Sequence, residues 1–162
     1  MSSLARRSAA AVALVLASAS VAGAQTATQT VTFQVNAINV IAFTGSPSLI
    51  ISTATPGAAS PSVTDATSTW AVTTNQSGAK ITASIPSAMP AGLTLSANLV
   101  APTGGTSAGL KALGVVAVDM VTGVTKVAQG SLGVTYQLDA TPAAGVVASS
   151  SKVVTYTILG GS

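Results

Sequence analysis

The sequence has no cysteine, no histidine and no glutamate, and its whole acidic complement is Asp65, Asp119 and Asp139. Without a thiolate, an imidazole, paired glutamates or the ordinary zinc ligands, most catalytic chemistry is excluded by composition, and no enzymatic activity, cofactor or metal is expected. Disulfides are excluded as well, so stability has to come from core packing and strand pairing. Charge is scarce, at 6% of 162 residues, and both arginines lie at the start of the chain, at Arg6 and Arg7. Residues 25–162 carry Lys80, Lys111, Lys126 and Lys152 against three aspartates, a net charge of 4 − 3 = +1. Four scattered lysines cannot track a phosphate backbone, so nucleic acid is not an expected partner. Aromatic residues make up 3% of the chain, too few for a sugar-stacking platform.

The first 24 residues follow a secretory pattern. Arg6 and Arg7 form a basic start, an apolar stretch runs from Ala9 to Ala19, and Ala22-Gly23-Ala24 supplies the small side chains a signal peptidase admits. Residues 1–24 are therefore expected to be a signal peptide cleaved before Gln25, which places the protein outside the cell or on its surface. The apolar stretch is too short for a membrane span, and no later segment reaches that length. Residues 25–162 are expected to form a single domain, long enough to bury a core.

Beyond Gln29 the pattern is a period-two alternation of apolar and hydroxyl residues, broken by Gly, Pro, Asn and Ser. This predicts an all-β fold of roughly nine or ten short strands, mostly antiparallel, in two packed sheets of an Ig-like β-sandwich. Val31, Phe33 and Val35 alternate with Thr30, Thr32 and Gln34, and Ile38 and Val40 continue in the opposite phase, implying a bend near Asn36. A loop is expected from Pro56 to Asp65, and then a strand beginning near Trp70. The turn residues Asn75 to Gly78 predict a hairpin to Ile81, Ala83 and Ile85. Leu93, Leu95, Ala97 and Leu99 predict another strand, and Leu113 to Met120 one buried on both faces. A weak hairpin is expected around Gly123. Leu132, Val134, Tyr136 and Leu138 alternate strongly, and Val154, Tyr156 and Ile158 end the chain the same way.

Candidate sites are few. The aspartates match no calcium-loop spacing, so capping of turns and strand ends is expected of them. Ser and Thr number 38 of the 138 residues after the leader. With lysine the one basic type there, a Ser-Lys dyad is the sole nucleophilic chemistry that composition leaves open. Threonine has a simpler role, since it is β-branched and fits a pleated surface. Trp70 is expected in the core rather than on a carbohydrate-binding face. Asn75-Gln76-Ser77 matches a glycosylation triplet but is explained by its turn.

The feature that points to function is an alternating segment, residues 28–37, within a few positions of the expected cleavage site. In cis it would close its own sheet. In trans it would pair with the edge of another subunit, and such a head-to-tail contact generates a filament. The segment TQTVTFQVNAINVIAF, the stretch beginning SVTDATSTWAVTT and the closing SKVVTYTIL together resemble small secreted bacterial surface proteins, similar to pilin-type Ig-like subunits. The resemblance implies donor-strand complementation through Thr30 to Asn36, with Val31, Phe33, Val35, Ile38 and Val40 as the subunit-interface residues. It implies a structural subunit of an extracellular filament whose partner is itself, with other surface proteins or glycans as further partners. A monomeric surface or adhesion module is the alternative. Chaperone-usher subunits commonly carry a disulfide and a distinctive last strand, whereas this chain has no Cys and ends in Gly160-Gly161-Ser162.

Overall fold

The structure, a computed structural model, describes residues 23–57 and 60–161. The expected leader lies outside the described residues except for Gly23 and Ala24. The chain divides into two units after Gln34. In the first, residues 23–34 contain no strand and are exposed throughout.

The second unit is all-β. Its strands are β1 (Asn39–Thr44), β2 (Ser62–Thr74), β3 (Ala79–Ser84), β4 (Leu93–Leu99), β5 (Thr106–Ser107), β6 (Lys111–Ala112), β7 (Val118–Val124), β8 (Val127–Ala140) and β9 (Thr155–Leu159). A single 3-10 turn, Pro142–Ala144, is the one helical element among the described residues, and none there is long and apolar enough to cross a membrane. Two antiparallel sheets result: a five-stranded sheet ordered β1-β2-β8-β4-β6 and a four-stranded sheet ordered β5-β7-β3-β9. The alternating residues meet between them. Trp70 and Val72 of β2, Ile81 of β3, Leu99 of β4, Met120 and Val121 of β7 and Val134 of β8 are all buried. Trp70 is thus a core residue, its indole N–H donating to the Val100 carbonyl at 3.1 Å.

Several expectations change. Asn75 to Gly78 does not close a hairpin, because β2 and β3 belong to different sheets. Turn chemistry and alternation look the same whether the chain turns within a sheet or crosses to the other one. The weak hairpin at Gly123 is likewise a crossing, from β7 to β8. Leu113 to Met120 is not one buried strand. The Leu113 N–H donates to Leu95 in one sheet while the Gly114 carbonyl accepts from Ile85 beside the other, so the run passes between sheets and leaves Val115 and Val116 exposed. Asp65 is not in a loop, and Trp70 does not begin a strand. Both lie within the 13-residue β2, whose first half is too hydroxyl-rich to show an apolar period.

The two crossings lie side by side. The Lys126 N–H donates to the Gln76 carbonyl at 2.9 Å, and the Gly78 N–H to Thr125 Oγ1 at 3.0 Å. They close one end of the molecule, here called the crossing end. The opposite end, at Ser62, Leu93 and Ala140, is built differently.

Candidate functional site

The site arises from a mismatch in strand length. β2 and β8 have 13 and 14 residues, whereas β3 and β9 of the facing sheet have 6 and 5. At about 3.3 Å per residue, β2 extends some 43 Å and β3 about 20 Å, and both start from the crossing end. The longer sheet therefore extends past the ends of the strands facing it, the last of which reaches Tyr136 through Tyr156. Its inner surface carries Leu93 and Leu95 of β4 and Tyr136 and Leu138 of β8, placed on one face because Leu95 pairs with Leu138 and Ala97 with Tyr136. Chain without strands borders this surface, within residues 45–57 and at Pro61 on one side and within residues 141–153 on the other.

Between these segments lies a groove of about 1120 Å³. Phe43, Leu49, Val154 and Tyr156 line it together with Leu93, Leu95 and Leu138 of the longer sheet. Lys152 is the one charged residue in its lining among the described residues. A groove of that size and apolar character is suited to apolar side chains. Neither segment forms a strand among its described residues. Pro47, Pro56 and Pro61 interrupt the first, and Pro142 with the Ser149-Ser150-Ser151 run interrupts the second. Gly92 pins the rim. At its φ of +78° a β-carbon would run into the Ala144 amide and lie 2.8 Å from Thr141 Oγ1, so only glycine lets the two connectors meet.

The sheet edges differ in the same sense. One border of the molecule is made by β5 and β6, two residues each and too short to template another strand. The other is made by β1 and β9, whose outer edges carry no strand among the described residues. β2 lacks a neighbour there from Ser62 to Ser68, since β1 pairs only with Thr69 to Thr74. Asp65 is held in that stretch as an acceptor, taking the Ser48 N–H and both the N–H and hydroxyl of Thr67, and these bonds lower its pKa below the usual carboxylate value.

The residues expected at a subunit interface fall into two groups. Val31, Phe33 and Val35 lie where no strand forms, with exposures of 72%, 89% and 77%. Ile38 and Val40 are built into the chain's own sheet margin: Val40 pairs with Thr73 in β1, and Ile38 is gripped by Asn75. The Ile38 N–H donates to Asn75 Oδ1 at 2.8 Å, Asn75 Nδ2 donates to the Asn36 carbonyl at 2.8 Å, and the Asn75 N–H donates to the Ile38 carbonyl at 3.3 Å. Asn75 therefore holds Asn36 and Ile38 at the crossing end. Sequence reading treated this residue as turn chemistry and missed the clamp, because its partners lie 37 and 39 positions away.

The remaining candidates are dispersed. Asp119 pairs with Lys80 at 3.0 Å on the surface, and Asp139 accepts from Gln137 Nε2. A Ser-Lys contact does occur: Lys152 Nζ donates to Ser87 Oγ at 2.7 Å and to the Ala88 carbonyl at 3.0 Å. An ammonium that donates to an exposed serine ties two loops together and does not withdraw the hydroxyl proton. At the groove, Tyr156 donates its hydroxyl to that of Tyr136 at 2.9 Å. Burial, the main cause, raises both phenol pKa values above the ordinary tyrosine value. No family model, curated protein or solved structure matches the chain.

Proposed function

We propose that the chain is an exported Ig-like subunit that polymerises into an extracellular filament, the segment Thr30–Asn36 of each copy, here called the arm, completing the open end of the next. One observation carries this reading: Val31, Phe33 and Val35 are exposed in the same molecule that has an unfilled apolar groove. Length supports it too. The 13 positions of β2 exceed the 6 of β3 by seven, and Thr30 to Asn36 is seven residues. In an extended strand Val31, Phe33 and Val35 share one face, and each is worth about 1.5–3 kcal/mol when fully buried.

Position favours trans over cis. The arm is rooted by Asn75 at the crossing end, and β1 runs from there toward the open end. Filling its own groove would require the chain to reverse between Asn36 and Asn39, where the Asn75 bonds hold it. Filling a neighbour's groove needs no reversal. With the root at one end and the groove at the other, each contact is head-to-tail, does not close on itself, and propagates. The expected leader supplies the export route, and a mature charge near zero lets neutral bodies stack without repulsion.

The test is electron microscopy and size-exclusion chromatography of the secreted protein and two variants. Filaments are expected from the native chain. Phe33→Asp should abolish them, whereas Thr32→Asp, on the opposite face of the arm, should leave most assembly intact. A native protein that stays monomeric at every concentration, or variants that behave alike, would defeat the reading and return the chain to a monomeric surface module.

A further inference from the structure

Residues 25–162 contain five aromatic side chains, Phe33, Phe43, Trp70, Tyr136 and Tyr156. Four of them form one cluster. Phe43 stacks on Trp70 with centroids 5.9 Å apart and on Tyr156 at 4.0 Å, both nearly parallel, and Tyr136 joins through its hydroxyl bond to Tyr156. Trp70 is sealed in the core at 1% exposure, while Phe43, Tyr136 and Tyr156 line the groove. The fifth, Phe33, is exposed.

We infer that Phe43, Tyr136 and Tyr156 form the seat for Phe33 of a second copy, and that this aromatic contact sets the register in which the arm docks. The inference rests on the filament reading. The Tyr156 hydroxyl proton is taken up by the Tyr136 oxygen, so the groove presents mainly ring surface there. A phenylalanine meets that surface without burying an unpaired polar atom, which a tyrosine would bring. Val31 and Val35 lie two positions to either side of Phe33, about 6.6 Å away along an extended strand. Aliphatic side chains flank the seat in the same way, Ile41 on the β1 side and Leu93, Leu95 and Leu138 toward the open end. A slip of two residues would set a valine against the rings and carry Phe33 out of the seat, so the aromatic position penalises that error.

A synthetic peptide of residues 27–37 provides the test, with the full mature chain carrying Phe33→Asp as a non-assembling acceptor. The substitutions being compared are made in the peptide, so the acceptor is the same in every measurement. The native peptide should bind, raise the acceptor's Tm and shift the indole emission, because Trp70 stacks on Phe43 at the seat. The Phe33→Leu peptide should bind at least tenfold more weakly, with a greater loss than the Val31→Ala peptide shows. Equal binding of the native and Phe33→Leu peptides would overturn the seat while leaving the filament reading intact, as would saturable binding that leaves indole emission unmoved. No binding of either peptide would overturn both.

Discussion

The two ends of the longer sheet are made from similar residues and reach opposite outcomes. At the crossing end Trp70, Val72, Val134 and Leu99 face the short sheet and are sealed. Toward the open end the same alternation continues through Tyr136, Leu138, Leu95 and Leu93, yet these residues line a groove. Composition does not separate the halves. The difference lies in what stands opposite, a strand in one case and proline-interrupted chain in the other. Apolar alternation is a demand for cover, and cover is supplied only as far as the facing strands extend.

The comparison is broken most strongly by truncating one residue in each half. Trp70→Ala should cost about 3–5 kcal/mol, since it opens a cavity in sealed packing. Leu138→Ala should cost well under half of that in the isolated chain, because its site already borders a groove. Urea denaturation of both variants measures the contrast, and equal losses would mean the two halves are equally packed.

A second contrast compares the ties at each end. Asn75→Leu removes the side-chain bonds to Asn36 and Ile38 at the arm root, an exposed pair worth about 1 kcal/mol together. Hydrogen exchange should accelerate at Ile38. Lys152→Ala should change global stability by less than about 0.5 kcal/mol, because its bonds are exposed, and should speed exchange only in residues 146–153.

Tyr136 and Tyr156 mark the boundary between the halves, and their titration sharpens it. Both pKa values are raised in the folded chain, so their contribution is fully present below the unfolded tyrosine value of about 10 and is lost as pH rises through the folded values. The urea midpoint should therefore fall between pH 9 and pH 11.5, less steeply in Tyr156→Phe. Asp65 has the opposite sign. Its lowered pKa gives a contribution that is lost as pH falls below the usual carboxylate range, and its exposure makes the effect slight. An effect of either zero or the opposite sign is expected at Ser68, whose buried hydroxyl has no hydrogen-bond partner among the described residues. Ser68→Ala should be neutral or stabilise by up to about 1 kcal/mol in thermal melts.

Much of this was legible in order of residues alone. Period-two alternation gave the strands at Leu93–Leu99, Leu132–Leu138 and Val154–Ile158, and the prolines marked the loop before β2. Val31, Phe33 and Val35 stood out because alternation there begins so near the expected cleavage site. The groove was not legible, since its lining comes from β1, β4, β8, β9 and two connectors far apart in the chain.

By itself, the sequence determined that this protein is all-β, that its core lacks disulfide ties, and that an alternating segment precedes its first paired strand. Those follow from side-chain period and composition, which are local. Tertiary structure alone decided that Asn75 to Gly78 crosses between sheets, that Asn75 anchors the arm, and that one end of the longer sheet is left open. These depend on which strands face each other and on how long each one is, and a linear pattern of apolar residues records neither.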